Sequence, residues 1–157
     1  MGDVLWPIIE SLGVVTNKAK VVAKHAHVVH TVDSAALSRE LGKRAGRERA
    51  AALPVLVEVN LGREPQKPGA APSEIAEVVE AVRAEPTLAL RGLMTVPPAG
   101  DVRAAREVFE TLATLRNLHG GVARLPELSM GMSADLEVAV ACGATYVRIG
   151  TAIFGER

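Results

Sequence analysis

Short runs of β-branched and apolar residues recur along the chain, and each is followed by a stretch in which apolar residues return every three or four positions. The runs are VVHTVD (28–33), PVLVEV (54–59), LALRGLM (88–94), LPELSM (125–130) and TYVRI (145–149). Their length and β-branched composition predict strands. Between them, Leu37 and Leu41 form one helical stripe, Ile75, Val78, Val79 and Val82 a second, and Val102, Ala105, Phe109 and Leu112 a third. This spacing gathers side chains on one face of a helix. Ser73, Asp101 and Ser133 stand where N-caps are wanted, and Gly143 follows the last short helix where a left-handed residue ends it. Upstream, the pattern supports at most one further strand near Leu5 to Ile9 and a helix from about Asn17.

Alternating strands and helices predict a parallel sheet, either doubly wound or a (β/α) barrel, and periodicity does not choose between them. Five clear strands are too few for a closed barrel, which takes eight strands and usually about 250 residues. The glycine- and proline-rich stretch 61–72 is short enough for a loop between strand and helix, so the whole of 1–157 reads as one domain.

Composition changes this picture only by exclusion. The 157 residues are 48% hydrophobic, and 18 basic side chains balance 18 acidic ones. No net field draws such a chain to nucleic acid or to an anionic membrane, so any anion must be held locally. No apolar run reaches the roughly 18 residues of a membrane span, and the N-terminus lacks the basic start and apolar core of a signal peptide. The single cysteine, Cys142, lies in an apolar run and reads as an inert buried thiol. Together these predict a cytoplasmic protein.

The chemistry gathers near the C-terminus, where two glycine-rich turns, SMGMS (129–133) and IGTAIFG (149–155), lie barely one helix apart. In (β/α) barrels the loops after the last two strands commonly hold a phosphate, through backbone N–H groups and helix starts. Either turn alone is explained by Gly131 or Gly150 making a tight turn and by Ser133 capping a helix; both together, on consecutive strand ends, favour a ligand, with Ser129, Ser133 and Thr151 as hydroxyl donors. Arg148 sits inside an apolar strand, and a buried guanidinium needs either an acidic partner or a ligand anion. Asn60 and Met94 end their strands at the carboxyl edge, where α/β sheets keep their sites, although asparagine also forms turns and methionine also fills cores. His25, His27 and His30 straddle a helix end and a strand, so they do not share one face as metal ligands would. Glu64 and Lys67 make at most a local surface pair.

The segments VHTVDS (29–34), VEVNLGREPQKPG (57–69), LRGLMTVPP (90–98), ELSMGMSADLEVAV (127–140) and GATYVRIGTAIFGER (143–157) resemble, in order and spacing, the YggS/PROSC family of pyridoxal phosphate homeostasis proteins. The resemblance is nearly continuous from about Asn17 to Arg157. It implies an α/β fold, a partial (β/α)8 TIM barrel of the alanine racemase N-terminal type that lacks about its first three β/α units. It also implies a non-catalytic carrier or buffer of pyridoxal 5'-phosphate (PLP). By motif, Ser129, Gly131, Gly150 and Thr151 would surround the phosphate, Arg148 would contact the cofactor, and Asn60 and Met94 would line the pocket. The family's Schiff-base lysine belongs to an earlier strand, and Lys18, Lys20, Lys24, Lys43 and Lys67 do not correspond to it, so PLP is expected to bind non-covalently at best. The family's W-H-x-I-G-x-L-Q-x-N-K run is replaced here by WPIIESLGVVTNK. A fold-type III racemase or decarboxylase would need that lysine and an opposing acid or base, and a non-functional or partner-dependent barrel fragment is the other alternative. The implied partners are PLP, PLP-dependent apo-enzymes, and a second copy of the chain across an open barrel edge.

Overall fold

The computed structural model describes residues 9–10, 18–62 and 67–155. Leu5 to Ile8 of the expected first strand, Asn17 and Glu64 fall outside the described residues. Among the described residues, six parallel strands form one sheet: β1 (Ile9–Glu10), β2 (Val28–Val32), β3 (Leu53–Glu58), β4 (Leu88–Met94), β5 (Glu127–Met132) and β6 (Tyr146–Arg148). Helices connect them: α1 (Ala19–His25), α2 (Ala35–Glu48), α3 (Ile75–Arg83), α4 (Val102–Leu118) with the short α5 (Gly121–Arg124), and α6 (Leu136–Ala141); α7 (Thr151–Phe154) follows β6.

Strand order in space equals strand order in sequence. A doubly wound sheet would reverse direction at a switch point, whereas unbroken sequential order is the winding of a barrel. The fold is a partial (β/α)8 barrel. Among the described residues, the outer edge of β6 carries no strand.

Pleating separates two faces. Val57 of β3 pairs with Leu93 of β4, which pairs with Leu128 of β5, and all three join the core shared with the helices. One residue further, Glu58 pairs with Met94, Met94 with Ser129, and Ser129 with Tyr146. That second row lies outside the shared core, on the face a barrel turns toward its lumen, and its first three members are buried. The predicted helical stripes all pack inward except Val102, which is exposed at the first turn of α4.

Two of the predicted helix starts move. Asp101 caps α4 as expected, its Oδ1 accepting from the N–H groups of Arg103 at 2.9 Å and Ala104 at 3.1 Å. Ser73 does not cap α3: Glu74 takes the N-cap position, and its longer side chain reaches back to accept from the Ala71 N–H. Ser133 does not cap α6 either. Asp135 occupies that position, and its Oδ1 accepts the Met132 N–H at 2.6 Å, which tightens the turn leaving β5. Gly143 closes α6 with φ of 90°, as predicted. No helix among the described residues is long and apolar enough to cross a membrane.

Candidate functional site

The two glycine turns meet. At the end of β5 the chain passes through Gly131, the strand's penultimate residue, whose φ is 97°. A Cβ there would run into the Ala139 methyl of α6, so packing alone requires glycine. After β6 the chain passes Gly150 into α7, and the Ser133 hydroxyl accepts the Ala152 N–H at 3.2 Å, tying one loop to the other. Gly150 is different in kind: a Cβ built on it meets nothing within 4 Å. Its missing side chain leaves open space at the point where the two loops touch.

Arg148 projects into the lumen row. Its Nη1 donates to Ser129 Oγ at 2.6 Å and its Nη2 to the Thr95 carbonyl at 2.9 Å. No ion pair holds it among the described residues; Glu58 and Asp135 act on it only through space. Desolvation by burial lowers its pKa, and those two carboxylates pull the other way. The guanidinium is held by neutral groups, which leaves its charge uncompensated at close range.

Three further groups complete the cluster, and sequence reasoning did not assign them to it. His30 of β2 is 1% exposed; its Nδ1 lies 2.9 Å from Ser129 Oγ, and its ring meets Tyr146 edge-on with centroids 4.9 Å apart. Burial, reinforced by the Arg148 charge, lowers its pKa to about 4, so the ring is neutral. Glu58 is 4% exposed and its Oε2 has no hydrogen-bond partner among the described residues. Its pKa is raised to about 7, chiefly by burial and also by the nearby Asp33 charge, with Arg148 opposing both. Thr95 is buried, donates to the Val59 carbonyl at 2.8 Å, and through its own carbonyl anchors Arg148. The signal for Glu58 was present in PVLVEV, where an ionisable residue interrupts an apolar strand just as Arg148 does.

The remaining predicted residues spread around this centre. Met94 is buried in the lumen row, in register with Glu58 and Ser129. Asn60 donates from Nδ2 to the Lys67 carbonyl at 3.1 Å, bracing the loop after β3, and it lines a cavity of about 230 Å³ with Glu58, Val59, Lys67, Pro68 and Val96. The Ser129 hydroxyl is committed to Arg148 and His30, so its influence on an anion passes through the guanidinium. Thr151 begins α7. His25 and His27 are exposed while His30 is buried, so the three do not converge. Lys18, Lys20, Lys24 and Lys43 are exposed around α1 and α2; Lys67 is half-buried. Burial pushes the Cys142 thiol above its ordinary pKa, away from reactive thiolate.

The profile of the family described as alanine racemase, N-terminal domain matches residues 7–157. A pyridoxal phosphate homeostasis protein of Aquifex aeolicus is 39% identical over 160 residues, covering 99% of this chain and 68% of the relative. The chain belongs to the pyridoxal phosphate homeostasis protein family. The homologue from Vibrio alginolyticus is 40% identical over 90% of the chain, which spans 61% of that relative's length. Among solved structures, PipY of Synechococcus elongatus with PLP bound superposes with a TM-score of 0.85 at 31% identity, over 95% of this chain and 70% of PipY.

The buried pair His30 and Glu58 predicts an unusual pH profile. The folded-state pKa of His30 is depressed, so its contribution is full above about 6.5 and is lost as pH falls toward 4. That of Glu58 is raised, so its contribution is full below about 4.5 and is lost as pH rises toward 7. Between those limits the two slopes oppose each other, and stability is expected to stay nearly flat. Glu58→Gln removes one slope: urea unfolding should then show stability falling with acidification, by up to about 1 kcal/mol per pH unit. An equally flat profile in the variant would contradict the assignment.

Proposed function

We propose that this chain binds pyridoxal 5'-phosphate non-covalently and serves PLP homeostasis as a carrier or buffer, not as a catalyst. The observation that carries the reading is Arg148: a half-buried guanidinium fixed by a hydroxyl and a carbonyl, without an ion-pair partner among the described residues, beside two joined glycine turns. Such a centre favours an anionic, ring-bearing ligand. The end of β5 at Gly131 and the turn after β6 at Gly150 and Thr151 would receive the phosphate, and the open space at Gly150 fits a close approach of backbone to anion. Arg148 would meet the ring, Met94 would supply apolar contact, and Asn60 would hold the neighbouring loop. The names and the PLP-bound structure of relatives support the same ligand. When bound, PLP would supply an aldehyde that reacts with primary amines; Arg148, Met94 and the two glycine turns would bind and orient it.

Equilibrium dialysis followed by absorbance and fluorescence titration tests binding, and borohydride reduction with peptide mapping tests its mode. The expected result is saturable binding without a lysine adduct. Stoichiometric labelling of one lysine, Lys67 included, would overturn the non-covalent assignment.

Recipients of the cofactor would be apo-enzymes that require PLP, and transfer is measurable as recovery of an apo-enzyme's activity against free PLP at equal concentration. The β6 edge, with Val147, Ile153 and Phe154 exposed near it, would pair with a second copy. Light scattering should show mass rising with concentration; a monodisperse monomer would exclude that contact.

A further inference from the structure

We propose that His30 is a positioning residue for Arg148, acting through the hydroxyl of Ser129. This rests on the PLP-binding reading for its functional consequence, but not for its geometry. Ser129 Oγ sits between two nitrogens, 2.6 Å from Arg148 Nη1 and 2.9 Å from His30 Nδ1. A guanidinium nitrogen only donates, so the hydroxyl oxygen must accept from Arg148. The hydroxyl has one proton to place, and a cation hydrogen-bonded to its oxygen makes that O–H a stronger donor. The group it faces is the imidazole nitrogen. His30 Nδ1 therefore accepts, and the ring proton resides on Nε2. Two other observations agree with a neutral ring. His30 is 1% exposed, and protonation beside Arg148 is disfavoured. Nε2 has no hydrogen-bond partner among the described residues, so its N–H goes unmet, and the Ser129 geometry at Nδ1 is what assigns the tautomer.

The consequence is directional. With its proton turned toward His30, the hydroxyl presents lone pairs to Arg148 and cannot rotate to compete with it. The second anchor, the Thr95 carbonyl at 2.9 Å from Nη2, completes a two-point hold on one edge of the guanidinium. The Tyr146 ring, edge-on to the imidazole at 73°, fixes the plane of His30 from the same strand that carries Arg148. Thus β2, β5 and β6, which are not all neighbours in the sheet, act as one unit across the lumen.

Two substitutions separate this role from simple packing. His30→Phe keeps an aromatic ring against Tyr146 and removes the acceptor; His30→Gln restores an acceptor on a flexible side chain. The first measurement needs no cofactor: two-bond proton–nitrogen spectra of the free protein report the His30 tautomer, and guanidinium nitrogen line shapes report rotation of Arg148. The wild type is expected to show Nε2–H with slow Arg148 rotation. His30→Phe should free that rotation and His30→Gln should restrain it again, with Ser129→Ala matching His30→Phe. The second measurement is PLP affinity, expected to fall roughly tenfold in His30→Phe, as for loss of one hydrogen bond to a charged group, with most of it recovered in His30→Gln. An Nδ1–H tautomer in the wild type, or Arg148 resonances indifferent to His30→Phe, overturns the proposal. Failure of every protein to bind PLP would refute the cofactor assignment alone, because the spectra decide the relay without it. If His30→Phe does not fold, Ser129→Ala read by the same line shapes decides.

Discussion

Replacing Arg148 with methionine is expected to lower PLP affinity about 100-fold while leaving the unfolding free energy within about 1 kcal/mol of wild type. The two halves of this prediction have separate causes. A charged group that meets an anionic or polarised ring in a partly desolvated site costs about 2–5 kcal/mol when truncated, which is two or more decades in Kd. Stability is another matter. Burial already lowers the Arg148 pKa, which marks a guanidinium held at a desolvation cost, and no ion pair among the described residues repays it. Methionine matches much of its length, removes that cost, and gives up two hydrogen bonds to neutral oxygens. A fluorescence titration beside a urea melt reads both quantities. If Arg148→Met unfolds the protein, the guanidinium is structural; if it binds PLP normally, the site lies elsewhere.

The second large effect separates two glycines that look alike in sequence. Gly131→Ala should destabilise the chain by about 2–4 kcal/mol, because the added methyl meets Ala139 of α6 in a backbone conformation with φ of 97°. Gly150→Ala should leave the melt nearly unchanged, since nothing lies within 4 Å of the added atom, yet it should weaken PLP binding by tenfold or more if the phosphate approaches there. A thermal melt and a PLP titration on the same samples give the answer. Equal melting losses in both variants would show that the turn after β6 is packing alone. Unchanged affinity in Gly150→Ala would move the phosphate away from that turn.

Much of the fold was legible because it depends on local repetition. LALRGLM reads as a strand and forms β4 over the same residues. Ile75, Val78, Val79 and Val82 read as one buried face, and all four are buried. The errors lie where neighbouring residues of similar chemistry compete. α3 starts one residue later than expected, at Glu74, whose carboxylate turns back to Ala71, and Ser133 lost its cap position to Asp135, leaving its hydroxyl for Ala152. In the site, Arg148 was visible because a cation interrupts an apolar strand. His30 was visible only as one of three histidines, since nothing local says that a residue 99 positions away will share a hydroxyl with it.

By itself the sequence determined the alternation of strands and helices, the faces that pack between them, the two glycine turns and the need of Arg148 for company. These follow from side-chain periodicity, glycine's conformational range and the cost of burying charge, all properties of short segments. Only the tertiary structure decided that the strands wind in sequential order, that Ser129 and the Thr95 carbonyl hold Arg148 where a carboxylate was the alternative, and that His30 and Glu58 share its surroundings. The reason is that register between strands brings together residues far apart in the chain, and no local pattern records which neutral oxygen, charge or ring will stand across the lumen.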